Sequence, residues 1–191
     1  SLIDLARQNA KQLMTLVNEI LDITKSESVK MNVQYEPTSI YEFFKRLVSN
    51  FESYASQRKI KILFYMDSGL PQKIMMDTSK AERIFNNLLS NALKFTSADG
   101  TISVKLVDSN TTWSLIVEDT GRGIHPDDLP FVFDRFYQGS QRSMSLEGGT
   151  GIGLSLSKDL ALLMEGSLSV ESQLEIGSKF TLKLPKTEVI G

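Results

Sequence analysis

Three polar side chains that could meet a phosphorylated ligand lie in the stretch ERIFNNLLSNALKFT, residues 82–96. At about 100° per residue, Asn87, Asn91 and Lys94 fall within an arc of roughly 60° beside the apolar face of a helix. Asparagine is unfavourable inside helices because its amide competes for backbone groups, so two asparagines one turn apart need an explanation. They could be hydrogen-bonded residues at the border of the core. Alternatively, an amide oxygen could ligate Mg²⁺, which takes few protein ligands and completes its octahedron with phosphate oxygens and water.

Two glycine-containing segments could complete such a site. The segment GGTGIGL, residues 148–154, ends a long loop and opens a helix, where backbone N–H groups could approach phosphates closely. It differs from the dinucleotide-binding fingerprint, because no strand precedes it and its glycines stand at every second position, so a flexible hinge is the alternative. The segment DTGRGI, residues 119–124, puts Asp119 at the end of an apolar strand. Its carboxylate could accept a hydrogen bond from an exocyclic amine such as that of adenine, or it could simply cap a turn.

The composition limits the class of protein. The chain has 191 residues, of which 41% are hydrophobic and 23% are charged, enough for one substantial core. A formal net charge of -2 gives no reason to expect nucleic acid as a partner. Without cysteine and with one histidine, the sequence favours neither disulfides nor a zinc site. We find no apolar run of membrane-spanning length and no signal segment, and therefore expect a soluble chain without direct membrane contact. The absence of cysteine fits a reducing cytoplasm.

The first part of the chain has a helical pattern from Leu2 to about Ser26. Its apolar stripe is wide enough to pack against more than one element, which suggests a helix of a bundle or coiled coil whose partner helix lies elsewhere. An N-terminal helix folded back on its own domain is the alternative. The stripe consists of Leu13, Met14, Leu16, Val17, Ile20, Leu21 and Ile23.

The remaining elements that must position the polar residues follow from periodicity and from cap and turn signals. Pro37, Thr38 and Ser39 form a stop and an N-cap before a helix from about Ile40 to Gln57. Next we expect strands within 59–67 and 73–77, and a helix from about Ser79 to Phe95 capped by Asp77, Thr78 or Ser79. A hairpin of 101–109 with 112–120 and a loop from Gly121 to about Gly151 should follow. The last elements expected are a helix from Gly153 to about Met164, ended by Gly166 at C′, and two strands within 167–185. Because neighbouring strands are joined as hairpins, we expect an α/β sandwich with a mixed sheet.

In order, spacing and context, these segments resemble the N, G1, F and G2 boxes of sensor histidine kinases, within the GHKL superfamily of ATP-binding proteins. The resemblance lies in NNLLSNALKFT for the N box, DTGRGI for the G1 box, FDRFYQ for the F box, GGTGIGL for the G2 box and GSKFTLKLP for the closing strand. It implies an α+β fold, a two-layer Bergerat-type sandwich whose mixed sheet packs on three helices, preceded by one long N-terminal helix. It also implies a catalytic ATP-binding domain at 37–187, and in 1–30 only the second helix of the dimerisation and phosphotransfer hairpin.

The resemblance further implies roles for individual residues on the nucleotide and metal side. Asn91, helped by Asn87, would meet Mg²⁺ and the phosphates, and Lys94 would contact phosphate. Asp119, with the glycines of its segment, would hold adenine. The full set of ATP-binding residues implied is Asn87, Asn91, Lys94, Asp119, Gly121, Gly123, Phe133, Arg135, Phe136, Gly149, Thr150, Gly151, Gly153 and Leu154.

For the lid, the resemblance implies that Phe133 and Phe136 act as anchors, a role compatible with ordinary packing under a loop. Arg135 and Arg142 are the lid cations best placed to neutralise a triphosphate, although both could be surface arginines. Gln138 stands where many members of the family carry a basic residue, which puts one contact between lid and phosphate in doubt.

The function implied is that of a domain that binds Mg-ATP and donates the γ-phosphate to a histidine on an upstream helix absent from this chain, for relay to a response-regulator aspartate. The cofactors implied are ATP and Mg²⁺. The expected partners are the missing hairpin helix, the second protomer of a homodimer and a receiver domain. On this interpretation the chain is the cytoplasmic part of a membrane-bound sensor kinase, with no catalytic residue of its own.

His125, the single histidine, is expected to serve the turn after the G1 segment, because Pro126 and two carboxylates after it look like a helix start. We therefore expect that the isolated chain cannot phosphorylate itself. One alternative is a GHKL-type ATP-hydrolysing conformational switch, but Glu82 lies about 140° around the helix from Asn87 and is poorly placed to activate water. Another alternative is a nucleotide-binding pseudokinase that acts as a scaffold.

Overall fold

The computed structural model describes residues 32–139 and 150–187. The expected long N-terminal helix, and with it the domain expected at 1–30, lie outside these ranges. The described elements are β1 (Glu36–Ser39), α1 (Ile40–Gln57), β2 (Lys61–Met66), β3 (Lys73–Met76), α2 (Thr78–Phe95), β4 (Thr101–Asp108), β5 (Thr112–Asp119), a 3₁₀ turn (Leu129–Phe131), α3 (Gly153–Leu163), β6 (Ser167–Gln173) and β7 (Gly177–Pro185). No helix in the described part of the chain is both long and apolar enough to cross a membrane.

The main sheet has five strands in the order β2-β4-β5-β7-β6. The strands β2 and β4 are parallel, and the other neighbours are antiparallel. The expected mixed sheet is therefore confirmed. A second sheet, formed by the antiparallel pair β1 and β3, was not expected, because the segment before α1 was interpreted only as a stop and a cap. Ser39 does stand at the N-cap of α1, but its side chain makes no capping hydrogen bond.

The core lies between the main sheet and the helices. Alternate residues of β5 are buried, and the inward series of Trp113, Leu115 and Val117 continues to Asp119 at the end of the strand. The helix α2 buries an apolar stripe that includes Ile84 and Leu88. Asp119 therefore lies on the side of the sheet that faces the helices, although it is polar.

The end of α3 differs from the expectation. The residue in left-handed conformation is Glu165, with φ 58, and Gly166 follows it. The Glu165 N–H donates to the Leu162 carbonyl at 3.0 Å, and the Gly166 N–H donates to the Ala161 carbonyl at 2.9 Å, which is the Schellman pattern. The prediction that Gly166 is the C′ residue is wrong. Position 166 favours glycine for another reason, because a Cβ there would lie 2.3 Å from the Lys183 carbonyl oxygen on β7.

Candidate functional site

Asp119 is a buried carboxylate that no cation neutralises in the described ranges. Asp119 is the last of the inward-facing residues of β5, and 7% of it is exposed. Its Oδ1 accepts a hydrogen bond from the Gly121 N–H at 2.8 Å. Burial raises the pKa of Asp119, against the lowering effect of backbone hydrogen bonds from Gly121 and Ser178, and neighbouring Glu118 raises it further. A buried acid of this kind is costly to the fold and typical of a binding site.

Glycines allow the chain to close tightly around this carboxylate. A Cβ on Gly121 would lie 2.5 Å from the Phe95 carbonyl oxygen and 2.7 Å from Asp119 Oδ1. Gly123 has φ +69, which favours glycine, and a Cβ there would lie 2.1 Å from the Gln173 carbonyl oxygen. Sequence reasoning missed Gly177, where a Cβ would lie 1.9 Å from the Asp119 carbonyl oxygen. Its position at the start of β7, in the segment GSKFTLKLP, was the available signal.

The polar residues of α2 lie where the helical pattern predicts them, half-buried beside the apolar stripe. The helix begins after Asp77, whose Oδ1 accepts the Lys80 N–H at 3.0 Å. Asn87 donates from Nδ2 to Ser157 Oγ on α3 at 2.8 Å. Lys94 Nζ lies 5.0 Å from the centroid of the Phe95 ring. The helices α2 and α3 thus meet at Asn87.

The G2 segment runs into the first turn of α3 and touches α2 there. Gly153 begins α3, and a Cβ at this position would lie 2.3 Å from Asn87 Oδ1. Thr150 Oγ1 accepts the Ile152 N–H at 3.3 Å, and Leu154 is partly buried against the core. Gly149, expected to bind ATP, lies outside the described residues. The start of a helix therefore stands beside an amide of α2, so close that a side chain at position 153 would displace the Asn87 side chain.

A family model described as "Histidine kinase-, DNA gyrase B-, and HSP90-like ATPase" matches residues 76–188. The chain belongs to this family. The match begins just before α2 and runs through the Asp119 turn, the G2 segment and the final strands, so the four boxes proposed from the sequence are all inside it.

Individual relatives of this ATPase family are kinases. The chain is 33% identical over 191 residues to hybrid signal transduction histidine kinase D of Dictyostelium discoideum, covering 97% of this chain and 12% of that protein. It is 35% identical over 185 residues to sensor histidine kinase TmoS of Ectopseudomonas mendocina, covering 95% of this chain and 19% of that protein. The chain thus spans less than a fifth of either relative. Its fold is similar to that of full-length ShkA in complex with AMPPNP, with a TM-score of 0.85 and 25% identity, covering 96% of this chain and 38% of that one.

The two phenylalanines expected to anchor a lid have different environments. Phe133 packs against the core and makes an edge contact with Phe180, with ring centroids 6.5 Å apart. Phe136 has φ 64 and is 64% exposed. Its backbone N–H, however, donates to the Gly151 carbonyl at 2.9 Å, and Gly151 itself has φ +73. Phe133 is therefore packed against the core, whereas Phe136 contacts the G2 segment through its backbone and not through its ring, and the role of both as lid anchors stays a prediction.

Of the two arginines expected to neutralise a triphosphate, Arg135 lies within the described ranges. Arg135 pairs with Asp159 of α3, with 3.2 Å between Nη2 and Oδ2. Arg142 lies outside the described residues. The guanidinium carbon of Arg122 lies 4.6 Å from the centroid of the Phe95 ring. Arg122 received no role from the sequence, although it stands inside the segment DTGRGI, next to the glycines that close around Asp119.

His125 serves the turn, as expected. Its Nδ1 accepts the Asp127 N–H at 3.3 Å, and its carbonyl oxygen accepts the Asp128 N–H at 2.9 Å. The expected helix start at Pro126 is wrong, because a turn follows and only the 3₁₀ segment Leu129–Phe131 is helical.

Proposed function

We propose that residues 37–187 form the catalytic ATP-binding domain of a sensor histidine kinase, which binds Mg-ATP and donates the γ-phosphate to a histidine outside this domain. The observation that carries this proposal is the carboxylate of Asp119, which is buried and cation-free in the described ranges. It is the kind of acceptor that an exocyclic amine of adenine would satisfy. The kinase relatives and the AMPPNP-bound ShkA structure support the same assignment.

Adenine would bind where β5 ends. The bond from the Gly121 N–H to Oδ1 fixes the direction of the Asp119 carboxylate. The remaining lone pairs of the carboxylate would accept the adenine amine. Gly121 and Gly123 bring the backbone of the turn against the end of α2 and the β6–β7 turn, which keeps this part of the site narrow. Desolvation makes a hydrogen bond to a charged acceptor strong, so this end of the site would provide specificity for adenine over bases without the exocyclic amine.

The phosphates would lie between α2 and the start of α3. Amide oxygens suit Mg²⁺, and Asn91, whose side chain makes no hydrogen bond within the described ranges, has its amide available for the metal, with Asn87 beside it. Lys94 and the N–H groups of Thr150 and Gly151 would meet phosphate oxygens. Bound Mg²⁺ would supply charge neutralisation on the phosphates.

The acceptor in this proposal lies outside the ATP-binding domain. We do not propose His125 as the acceptor, because it belongs to the turn next to the adenine side of the site, where its Nδ1 accepts the Asp127 N–H. The acceptor histidine would belong to the dimerisation hairpin, of which 1–30 would be the second helix. A second protomer would complete the hairpin bundle, a receiver-domain aspartate would take the phosphate, and the whole would work at the cytoplasmic side of a membrane.

Calorimetry with ATP, with and without Mg²⁺, tests the proposal. We expect the wild-type chain to bind Mg-ATP and both Asn91→Ala and Asp119→Ala to weaken binding. Binding that is absent, or that both variants leave unchanged, contradicts the proposal. Incubation with γ-labelled ATP should leave no acid-labile phosphate on His125, whereas labelling of that residue would contradict the placement of the acceptor outside this domain.

A further inference from the structure

A buried serine on α3 contacts Asn87, one of the three asparagines of α2. Only 2% of Ser157 is exposed, and its Oγ accepts a hydrogen bond from Asn87 Nδ2 at 2.8 Å. A buried hydroxyl without a partner is costly, so this contact between residues far apart in the chain stabilises both groups. Neither the order of the boxes nor the helical pattern of α2 points to Ser157.

The same asparagine touches α3 at a second position, one turn earlier. Gly153 and Ser157 are four residues apart and therefore lie on one face of α3. A Cβ on Gly153 would lie 2.3 Å from Asn87 Oδ1. The amide of Asn87 thus spans one turn of α3, with its NH₂ group on Ser157 and its oxygen against the first residue of the helix.

The direction of this amide matters because its two ends have opposite chemistry. The oxygen and the NH₂ group of a carboxamide are nearly equal in size, so the hydrogen-bond partners decide which one faces a ligand. Mg²⁺ needs the oxygen. With its NH₂ group on Ser157, Asn87 turns its oxygen toward the helix start at which we place the phosphates.

We propose that Ser157 is a positioning residue, which fixes the Asn87 amide with its oxygen toward the G2 segment and so sets the Mg²⁺-dependent part of the nucleotide affinity. This inference rests on the proposed function. Ser157 touches neither the nucleotide nor the metal in it and acts through Asn87 alone.

A double-mutant cycle read by calorimetry tests the inference. Ser157→Ala should weaken Mg-ATP binding by about three- to tenfold, since it removes one hydrogen bond that orients a metal ligand. Binding of ATP in EDTA should stay within about twofold of wild type, because the metal ligand is then idle. In an Asn87→Ala background, Ser157→Ala should have no further effect on Mg-ATP affinity. A merely structural serine would weaken both metal states, and would do so in both backgrounds.

The matched control is Ser155→Ala. Ser155 is a buried serine of the same helix, 5% exposed, whose hydroxyl donates to the Ile152 carbonyl at 2.8 Å within its own turn. It does not contact Asn87, so we expect its alanine variant to bind Mg-ATP as the wild type does. Thermal unfolding of each variant shows whether it remains folded at the titration temperature.

A second variant keeps the inference testable if Ser157→Ala does not fold. Asn87→Asp retains an oxygen toward Gly153, and the Ser157 hydroxyl can donate to its other oxygen, so Mg²⁺-dependent binding should survive better than in Asn87→Ala. Equal losses in these two variants overturn the inference, as does wild-type Mg-ATP affinity in Ser157→Ala. If the wild-type chain fails to bind Mg-ATP, the proposed function fails and this inference with it. Binding by the wild type that Ser157→Ala leaves unchanged removes only the inference.

Discussion

Two aspartates of this domain are buried where a strand ends, and the pKa values of their carboxyl groups are shifted in opposite directions. Asp77 comes after β3 and is 2% exposed, while Asp119 ends β5 and is 7% exposed. Burial raises the pKa of Asp77, but hydrogen bonds from the Lys80 side chain and from the backbone of Gln34 and Lys80 outweigh it, so the pKa is lowered. For Asp119 burial prevails over its backbone donors, and the pKa is raised.

The difference separates a structural carboxylate from one that has capacity for a ligand. Asp77 caps α2 and accepts the Gln34 N–H at 2.9 Å, so it ties the segment before β1 to the helix that carries Asn87. Lys80, which pairs with Asp77 at 2.5 Å, extends the tie to the Asn32 carbonyl at 3.1 Å. Asp119 has no comparable cation among the described residues. Two residues with similar burial should therefore respond to the same substitutions in opposite ways.

The largest expected effect is on stability at Asp77. Asp77→Ala removes the cap of α2, the ion pair with the Lys80 ammonium and the acceptor of the Gln34 N–H, which should lower the free energy of unfolding by about 3 kcal/mol. Mg-ATP affinity of the folded variant should change less than about twofold, because Asp77 lies at the other end of α2 from Asn91. Urea unfolding and calorimetry measure the two quantities. An unchanged free energy of unfolding would show that this carboxylate is not the structural one.

The next effect is on nucleotide affinity at Asp119. Asp119→Ala should weaken Mg-ATP binding by about thirtyfold, or about 2 kcal/mol, since it removes a charged acceptor for the adenine amine. The free energy of unfolding should change much less than in Asp77→Ala, because the removal of a desolvated carboxylate offsets the loss of an acceptor for the Gly121 and Ser178 N–H groups. The comparison would break down if this variant lost as much stability as Asp77→Ala.

A smaller effect is expected at Gly121. A Cβ there would meet the Phe95 carbonyl oxygen at 2.5 Å, a backbone atom of α2 that cannot move aside easily. Gly121→Ala should therefore cost about 1–2 kcal/mol of unfolding free energy and weaken Mg-ATP binding as well. The control is Gly69→Ala, whose Cβ would meet only the end of the Asp108 side chain, at 2.9 Å from Oδ2. Equal losses in both variants would show that the turn beside Asp119 is not specially constrained.

The smallest effects are on the pH dependence of stability. Between the ordinary value of 3.8 and the raised folded pKa of Asp119, the folded state binds more protons than the unfolded state, so this residue lowers stability as the pH rises through that window. The contribution of Asp77 is complete above 3.8 and is lost as the pH falls through its lowered folded pKa. Chemical unfolding of Asp119→Asn and Asp77→Asn over acidic pH should give differences from wild type of opposite sign at neutral pH, both shrinking in acid. Differences of the same sign would contradict the comparison.

The sequence predicted local structure well, because local structure follows from local patterns. The bounds of α1 agree with the expectation, and Asp119 ends an apolar strand, as the sequence predicted. The position of Asp77 also followed from its cap chemistry, as one of three candidates.

What the sequence could not predict depends on partners that are distant along the chain. The bond from Asn87 to Ser157 joins residues 70 apart, and nothing in the pattern of α3 marks its serine as a partner of α2. The outward ring of Phe136 follows from its left-handed backbone, which tertiary contacts with Gly151 impose. Gly177 belongs to the same class, since its φ of +147 and the close approach of the Asp119 carbonyl oxygen, both set by the folded sheet, disfavour a side chain there.

The most direct test of the central claim, that the Asp119 carboxylate recognises the amine of adenine, is the ratio of Mg-ATP to Mg-GTP affinity in the wild type and in Asp119→Asn. GTP presents a carbonyl oxygen where ATP presents the amine, and a buried carboxylate cannot bond to it. We predict that the wild type prefers ATP by about hundredfold or more, and that Asp119→Asn, whose amide can donate, narrows this preference strongly. Equal affinities in the wild type, or a ratio that Asp119→Asn leaves unchanged, would contradict the claim.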